Sequence, residues 1–195
     1  MSTAYFTYGR FQPPHKGHAK ILNALKEQAN RDGVDHYVFC SHSYNDTNPI
    51  LPEQKINFMQ RLFPDNNIVE ADIHVINPYH AMRVLDENYD HVKFFVGGDR
   101  VEQYQSMHEY MDHPTKGYTF ETFEIVNAGD RVDESDDIAM MSGTRARVLA
   151  SEGKYEEFAS MIPTKDTSLV EELYFAIRKN INENVLYRNL ISLYG

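Results

Sequence analysis

The residues best suited to chemistry lie near the start of the chain, in Gly9-Arg10-Phe11-Gln12-Pro13-Pro14-His15-Lys16-Gly17-His18. His15 and His18 are three positions apart, so on a helix they share one face of the first turn. Gly17 carries no side chain between them and lets a ligand reach the backbone. Pro13 and Pro14 keep the preceding segment extended and delay any helix to about His15. Free N–H groups at a helix start, with the helix dipole, attract phosphate. Two imidazoles, Lys16 and a helix N-terminus aimed at one point make a phosphate clamp. A His-x-x-His pair in isolation also fits half of a metal site or two surface histidines. The whole string, closing a strand at Gly9 and opening a helix at Gly17, points more specifically to phosphate. Neither G-x-x-x-x-G-K-[ST] nor G-x-G-x-x-G occurs, so a nucleotide would be held by a different loop.

The placement of charge agrees. The chain has 195 residues, with 19 Lys and Arg against 29 Asp and Glu, a net charge of -10. Yet Met1 to Lys26 contains no acid, while it holds Arg10, Lys16, Lys20 and Lys26 beside the two histidines. A second acid-free window, Ile138 to Ser151, holds Arg145 and Arg147. Acidic stretches lie between, most obviously Asp130 to Asp137. Two cationic windows in an acidic chain suit a small polyanion such as a nucleotide, although chance clustering explains the charge pattern alone about as well. So acidic a chain is a poor partner for non-specific nucleic acid or an anionic membrane. Cys40 is the single cysteine, which excludes an intrachain disulfide and a Cys-rich zinc site within one chain. No apolar run reaches the ~18 residues of a membrane span, and the N-terminus lacks the features of a secretory signal. These observations predict a soluble protein of a reducing compartment, the cytoplasm.

The elements that must position these residues follow from periodicity. A composition of 42% hydrophobic and 25% charged residues is that of a globular domain. Strands are predicted at Ala4 to Tyr8, His36 to Ser41, Asn67 to Val75, His91 to Val96 and Thr119 to Val126. Helices are predicted between them, at Gly17 to Asn30, Pro52 to Phe63, Tyr79 to Tyr89 and Val101 to Met111. That alternation predicts an α/β fold, a doubly wound parallel sheet with helices on both faces. After Met141 the pattern is helical: Gly143 to Ser151, Tyr155 to Met161, Ser168 to Asn182, and a last piece from Asn184 to Leu193. The expected division is residues 1–163 as the α/β body and 164–195 as a helical C-terminal extension. The extension is expected to pack on the body or on another subunit, and a homo-oligomer is one outcome.

The segment Gly9 to His18 resembles the GRFQPxHxGH signature of the HxGH nucleotidyltransferase superfamily. It is most similar to nicotinamide mononucleotide adenylyltransferases, including phage-type members described as cytidylyltransferase-like. The family also carries S-x-[ST]-x-x-R at a late helix N-terminus, and Ser142-Gly143-Thr144-Arg145-Ala146-Arg147 matches it. Many family strings have Ser or Thr where Gly143 stands. The two motifs fall in the two acid-free windows, and the resemblance spans roughly Thr3 to Pro163.

The resemblance implies a Rossmann-like nucleotidyltransferase fold and a reaction in which a phosphate attacks the α-phosphorus of a nucleoside triphosphate. The preferred substrates are ATP and nicotinamide mononucleotide, giving NAD and pyrophosphate. CTP with a phosphorylated alcohol or sugar is the alternative, and a nucleotide-binding module without turnover is another. Class I aminoacyl-tRNA synthetases share the His-x-Gly-His logic, but this chain is too short and acidic to grip tRNA. His15, His18 and Arg147 are the implied catalytic residues. Gly9, Arg10, Phe11, Lys16, Gly17, Gly97, Gly98, Asp99, Ser142, Gly143 and Thr144 are the implied nucleotide contacts. Arg10 is equally readable as a structural contact, and Arg145 rather as a solvated helix residue. Asp99, after the strand ending Phe94-Phe95-Val96-Gly97-Gly98, accepts either ribose hydroxyls or a helix N-cap bond. Ser41 and Lys55 are candidate substrate contacts, with an exposed helix face the favoured reading for Lys55. Mg²⁺ is expected on the triphosphate, held by substrate and water, and no residue is assigned as a metal ligand.

Overall fold

The computed structural model describes residues 2–70, 75–111, 117–129 and 142–194, the side chains of 110 and 182–194 excepted. Five strands, β1 (Thr3–Gly9), β2 (Asp35–Cys40), β3 (Ile68–Glu70), β4 (His91–Val96) and β5 (Thr122–Asn127), form one sheet in the order β3-β2-β1-β4-β5. Every pairing is parallel. The helices are α1 (Lys16–Asp32), α2 (Pro52–Leu62), α3 (Pro78–Asp86), α4 (Gly98–Tyr104), α5 (Gly143–Ser151), α6 (Tyr155–Met161) and α7 (Thr167–Tyr194), with a 3₁₀ helix at Gln105–Tyr110.

Two apolar layers sandwich the sheet. Tyr5, Val38, Cys40 and Phe95 face one layer, filled by Leu22, Leu25 and Ala29 of α1, Phe58 and Met59 of α2, and residues of α5, α6 and α7. Ala4, Phe6, Val92, Phe94 and Val96 face the other, filled by Ala81, Met82 and Leu85 of α3 with Met107, Tyr118 and Phe120. The strand residues alternate between layers because successive side chains of a strand point to opposite faces. Both faces are apolar, as a parallel sheet covered by helices requires. The sheet order reverses between β1 and β4, and in such sheets ligands bind beyond the strand C-termini at that switch point.

Element ends follow local chemistry. Helix α1 closes on Gly33, in the left-handed region at φ 67°, whose N–H donates to the Ala29 carbonyl. Helix α3 opens on Asn77, whose side chain accepts from the His80 N–H, with Pro78 at the first helical position.

Several boundaries differ from the sequence reading. The helix expected at Val101 to Met111 is α4 followed by the 3₁₀ turn. The fifth strand starts at Thr122 rather than Thr119: Thr122 pairs with His91, the first residue of β4, and the Thr119 N–H donates instead to the Asp86 carboxylate at 2.6 Å. The third strand is Ile68–Glu70, and the expected continuation over 71–74 lies outside the described residues. The two C-terminal pieces are one helix, α7. Only Glu183 separated the two expected pieces, and neither Gly nor Pro occurs between Ser168 and Leu193 to end a helix there. The acidic run 130–137 lies outside the described residues. Among the described residues no helix is long and apolar enough to cross a membrane.

Leu169, Val170, Leu173 and Ile177 of α7 are buried in the same layer as α1, α2 and Phe158 of α6. Leu173→Ala is therefore expected to destabilise the whole chain by about 2–5 kcal/mol in a single urea transition. Two separate transitions would show instead that α7 unfolds independently of the body.

Candidate active site

Strand β1 delivers the first motif through a tight corner. Phe11 has φ 47°, a left-handed conformation that is strained for a bulky residue. Its buried ring folds back over Gly9, where an added Cβ would lie 2.7 Å from the ring. Gly9 is thus required by the approach of Phe11. The ring then meets His18 edge-on at 4.8 Å, which fixes one side of that imidazole. The Gln12–Pro13 peptide is cis.

His15 caps α1 in a reciprocal arrangement. Its Nδ1 accepts from the Gly17 N–H at 3.1 Å, and its own backbone N–H donates to Nδ1 of His18 at 3.2 Å. This is a capping box in which imidazoles replace the usual hydroxyl and carboxylate. Both Nδ1 atoms accept, so in both rings the remaining proton sits on Nε2. The rings lie 3.8 Å apart, and His15 and His18 both line the cleft. The local fold therefore sets two neutral N–H donors side by side.

Gln12 braces this corner to the rest of the site. Its side-chain amide donates to the carbonyls of Ile50 and Ser43 at 2.8 and 3.2 Å and accepts from the Ile50 N–H at 2.8 Å. Its backbone carbonyl accepts from Nη1 of Arg147. Arg147 also donates from Nη2 to Oγ1 of Thr144 at 3.1 Å. Ser142 caps α5, its Oγ accepting from the Arg145 N–H at 3.1 Å. Gly143 has a packing reason: a Cβ there would stand 2.8 Å from the Gln12 carbonyl and 3.3 Å from Arg147 Nη1. The two motifs, over a hundred residues apart in sequence, touch at this point.

Together they line a cleft of about 850 Å³ beyond the ends of β1 and β4, within the range of a ligand site. Gly9, Arg10, Phe11, His15, Gly17 and His18 line it from the first corner. Ser142, Gly143, Thr144 and Arg147 line it from α5, and Gly97 and Asp99 from the end of β4. Lys16 does not: it lines a separate hollow with Glu156, Pro163 and Lys165. Gly98 opens α4 outside the lining, its N–H donating to the Gly129 carbonyl at 3.2 Å. Arg145 is exposed and outside the lining. Asp99 is in the first turn of α4 but is not its cap, which is Gly97; its carboxylate lies 3.5 Å from Arg100.

Burial lowers the pKa of Arg147, and the Arg10 cation lowers it further. Two guanidiniums that repel each other in one cleft form a site completed by an anion. Burial pushes the Tyr8 phenol up to about 12 and also raises that of Tyr104, so both cleft tyrosines stay neutral.

Sequence reasoning missed several lining residues. Lys20, Asn48, Arg100, Gln103 and Tyr104 all line the cleft. Lys20 was signalled by the acid-free window and Arg100 by its place beside Asp99; Asn48, Gln103 and Tyr104 had no local signal. The favoured reading of Lys55 is corrected: it is 0% exposed, because α2 turns it inward with Phe58 and Met59. Its ammonium donates to the Ser41 carbonyl. Ser41 itself lines the cleft. Among the described residues, no group of three or more His, Cys, Asp or Glu side chains is arranged to hold a metal.

A cytidylyltransferase-like family model matches residues 6–167. No curated protein matches the chain. Similar solved structures include Plasmodium falciparum nicotinic acid mononucleotide adenylyltransferase complexed with NaAD, at 12% identity and a TM-score of 0.63, covering 90% of this chain and 98% of that one. A Vibrio parahaemolyticus protein assigned as a nicotinate-nucleotide adenylyltransferase aligns at 15% identity and a TM-score of 0.54, over 89% and 99% of the two chains. Thermotoga maritima TmcAL bound with alpha-thio ATP aligns at 15% identity and a TM-score of 0.54, over 94% of this chain and 56% of that one. At such identities these likenesses bear on the fold.

Gly143→Ser introduces a Cβ against a backbone carbonyl that cannot swing aside. It is expected to shift Arg147 and weaken nucleoside triphosphate binding by about tenfold, a loss of about 1.4 kcal/mol, as read by calorimetry. Unchanged affinity would contradict the packing constraint.

Proposed function

We propose that this chain, which belongs to the cytidylyltransferase-like family of nucleotidyltransferases, transfers an adenylyl group from ATP to nicotinamide mononucleotide. The products are NAD and pyrophosphate. The observation that carries the reading is the sharing of one cleft by the two imidazole donors and by Arg147 at the start of α5.

The chemistry follows from that geometry. A phosphate oxygen of the acceptor is already anionic and needs no strong base. It forms a bond to the α-phosphorus as the bond from that phosphorus to the bridging oxygen breaks, and pyrophosphate leaves with the electron pair. Such transfers ask the protein mainly for position and charge neutralisation. His15 and His18 donate from Nε2 to phosphate oxygens and keep their protons throughout. Arg147, oriented by Thr144 and Gln12, balances charge on the leaving phosphates, and Arg10 adds a second cation. Mg²⁺ carried on the triphosphate would supply further neutralisation. Asp99 is the one carboxylate among the described cleft residues and lies beside Arg100, so substrate oxygens and water would hold most of the ion.

Charge also bears on the acceptor. Four cations, Arg10, Lys20, Arg100 and Arg147, line the cleft against one carboxylate, Asp99, which pairs with Arg100. That balance suits the phosphate groups of the triphosphate and of the acceptor. Tyr8, Tyr104 and Ile76 offer flat apolar surface, with the neutral amides of Asn48 and Gln103, which suits a heteroaromatic ring bearing an amide. The family's cytidylyltransferase-like description keeps CTP with a phosphorylated alcohol or sugar as the second reading. A lone buried thiol at Cys40 suits a reducing, cytoplasmic setting.

The test is pyrophosphate release with ATP or CTP against nicotinamide mononucleotide, nicotinate mononucleotide, FMN and phosphocholine. ATP with nicotinamide mononucleotide is expected to be fastest. Turnover confined to CTP would overturn the adenylyl assignment, and none with any pair would leave a binding module. His18→Ala should lower kcat by about 10² while the fold survives; unchanged turnover would remove His18 from the mechanism. Arg147→Ala should chiefly raise the triphosphate dissociation constant, and equal ATP affinity in both proteins would count against its role.

A further inference from the structure

Lysine is almost never fully buried unless it is paired. Lys55 occupies a core position of α2 where a leucine would pack at less cost, at 0% exposure. The hydrogen bonds of its ammonium both go to Ser41: one to the backbone carbonyl and one, at 3.5 Å, to Oγ. The titratable groups that act on it are Cys40 of β2 and Glu70 of β3. Burial pushes the Cys40 thiol up to about 12, so it stays neutral and offers no countercharge.

From Ser41 two connections lead into the active site. The Ser41 N–H donates to the Gly9 carbonyl at 2.9 Å, the last residue of β1. Its Oγ pairs with Oγ of Ser43 at 2.7 Å, and the Ser43 carbonyl accepts from the Gln12 side chain. Gln12 in turn holds Arg147 through its backbone carbonyl. The ammonium is thus joined by hydrogen bonds to both motifs while lying outside the cleft lining.

We propose that Lys55 is a positioning residue: its buried ammonium fixes Ser41, and through Ser43 and Gln12 sets where Arg147 stands relative to the His15–His18 corner. A charged donor suits this task because hydrogen bonds from an ionised group are roughly twice as strong as neutral ones. Burial lowers the Lys55 pKa to about 8, so the brace weakens as pH rises through that value. Tyr8, also near Ser41, is pushed up to about 12 and does not titrate there.

Two measurements test this, and only the kinetic one rests on the transfer reaction proposed above. In the free wild-type chain, NMR should show the Gln12 side-chain amide titrating with the same midpoint as the Lys55 Cε, near pH 8. In Lys55→Arg that titration should vanish. A Gln12 signal flat across this range in the wild type would overturn the connection, whatever the enzyme's substrate. In turnover, kcat should show an alkaline fall near pH 8 that is absent in Lys55→Arg, which should retain most of the wild-type kcat at neutral pH. Lys55→Met should lose about tenfold or more in kcat with little change in the acceptor KM. Ser43→Ala breaks the chain without touching the lysine and should lose kcat in the same direction, which keeps the test open if Lys55→Met fails to fold. Wild-type kcat in a folded Lys55→Met or Ser43→Ala, or equal losses in folded Lys55→Met and Lys55→Arg, would overturn the positioning role.

Discussion

The site depends on a pair of hydrogen bonds, each made by one histidine's Nδ1 to backbone at the start of α1. They cap the helix, and in doing so they place the proton of each ring on Nε2. A hydroxyl or carboxylate in those positions would cap α1 equally well but would present no paired N–H donors. The surrounding residues serve this arrangement. Gly17 supplies one of the two N–H groups, Phe11 packs against His18, and Gly9 is small because Phe11 must fold over it. Secondary-structure chemistry and functional chemistry are here the same two bonds.

The second requirement is that distant parts of the chain meet. Strand order provides this: β1 and β4 are neighbours at the point where the sheet changes direction, and α5 returns to the open end. Gln12 then makes the meeting specific, with its side chain fastened to Ile50 and Ser43 and its carbonyl to Arg147. The absence of a Cβ at Gly143 lets α5 approach that carbonyl. The cleft gathers arginines that repel each other, in a chain whose overall charge is -10. Such a concentration of cations favours binding of a polyanion, which is why it marks the site.

Much of this was legible in the sequence because it is local. The two motifs, the acid-free windows and the strand-helix alternation read directly, and the cleft unites most of the residues named from them. What was not legible depends on three-dimensional direction. Lys16 sits between two cleft residues in sequence, yet one step around the helix sends it to another hollow. Lys55 looked like an ordinary surface lysine, because the face α2 buries is decided by its docking on the sheet. The reason for Gly143 is a carbonyl far away in sequence. The late start of β5 reflects tertiary pairing, which is not visible in a short window.

The central claim is the tautomer of His15 and His18, and nitrogen-15 NMR reads it directly. In long-range proton–nitrogen spectra of the free chain at neutral pH, both rings should show an unprotonated Nδ1 and a protonated Nε2, with the same pattern after a triphosphate binds. A protonated Nδ1 on either ring would contradict the reciprocal cap and, with it, the account of how this corner holds phosphate.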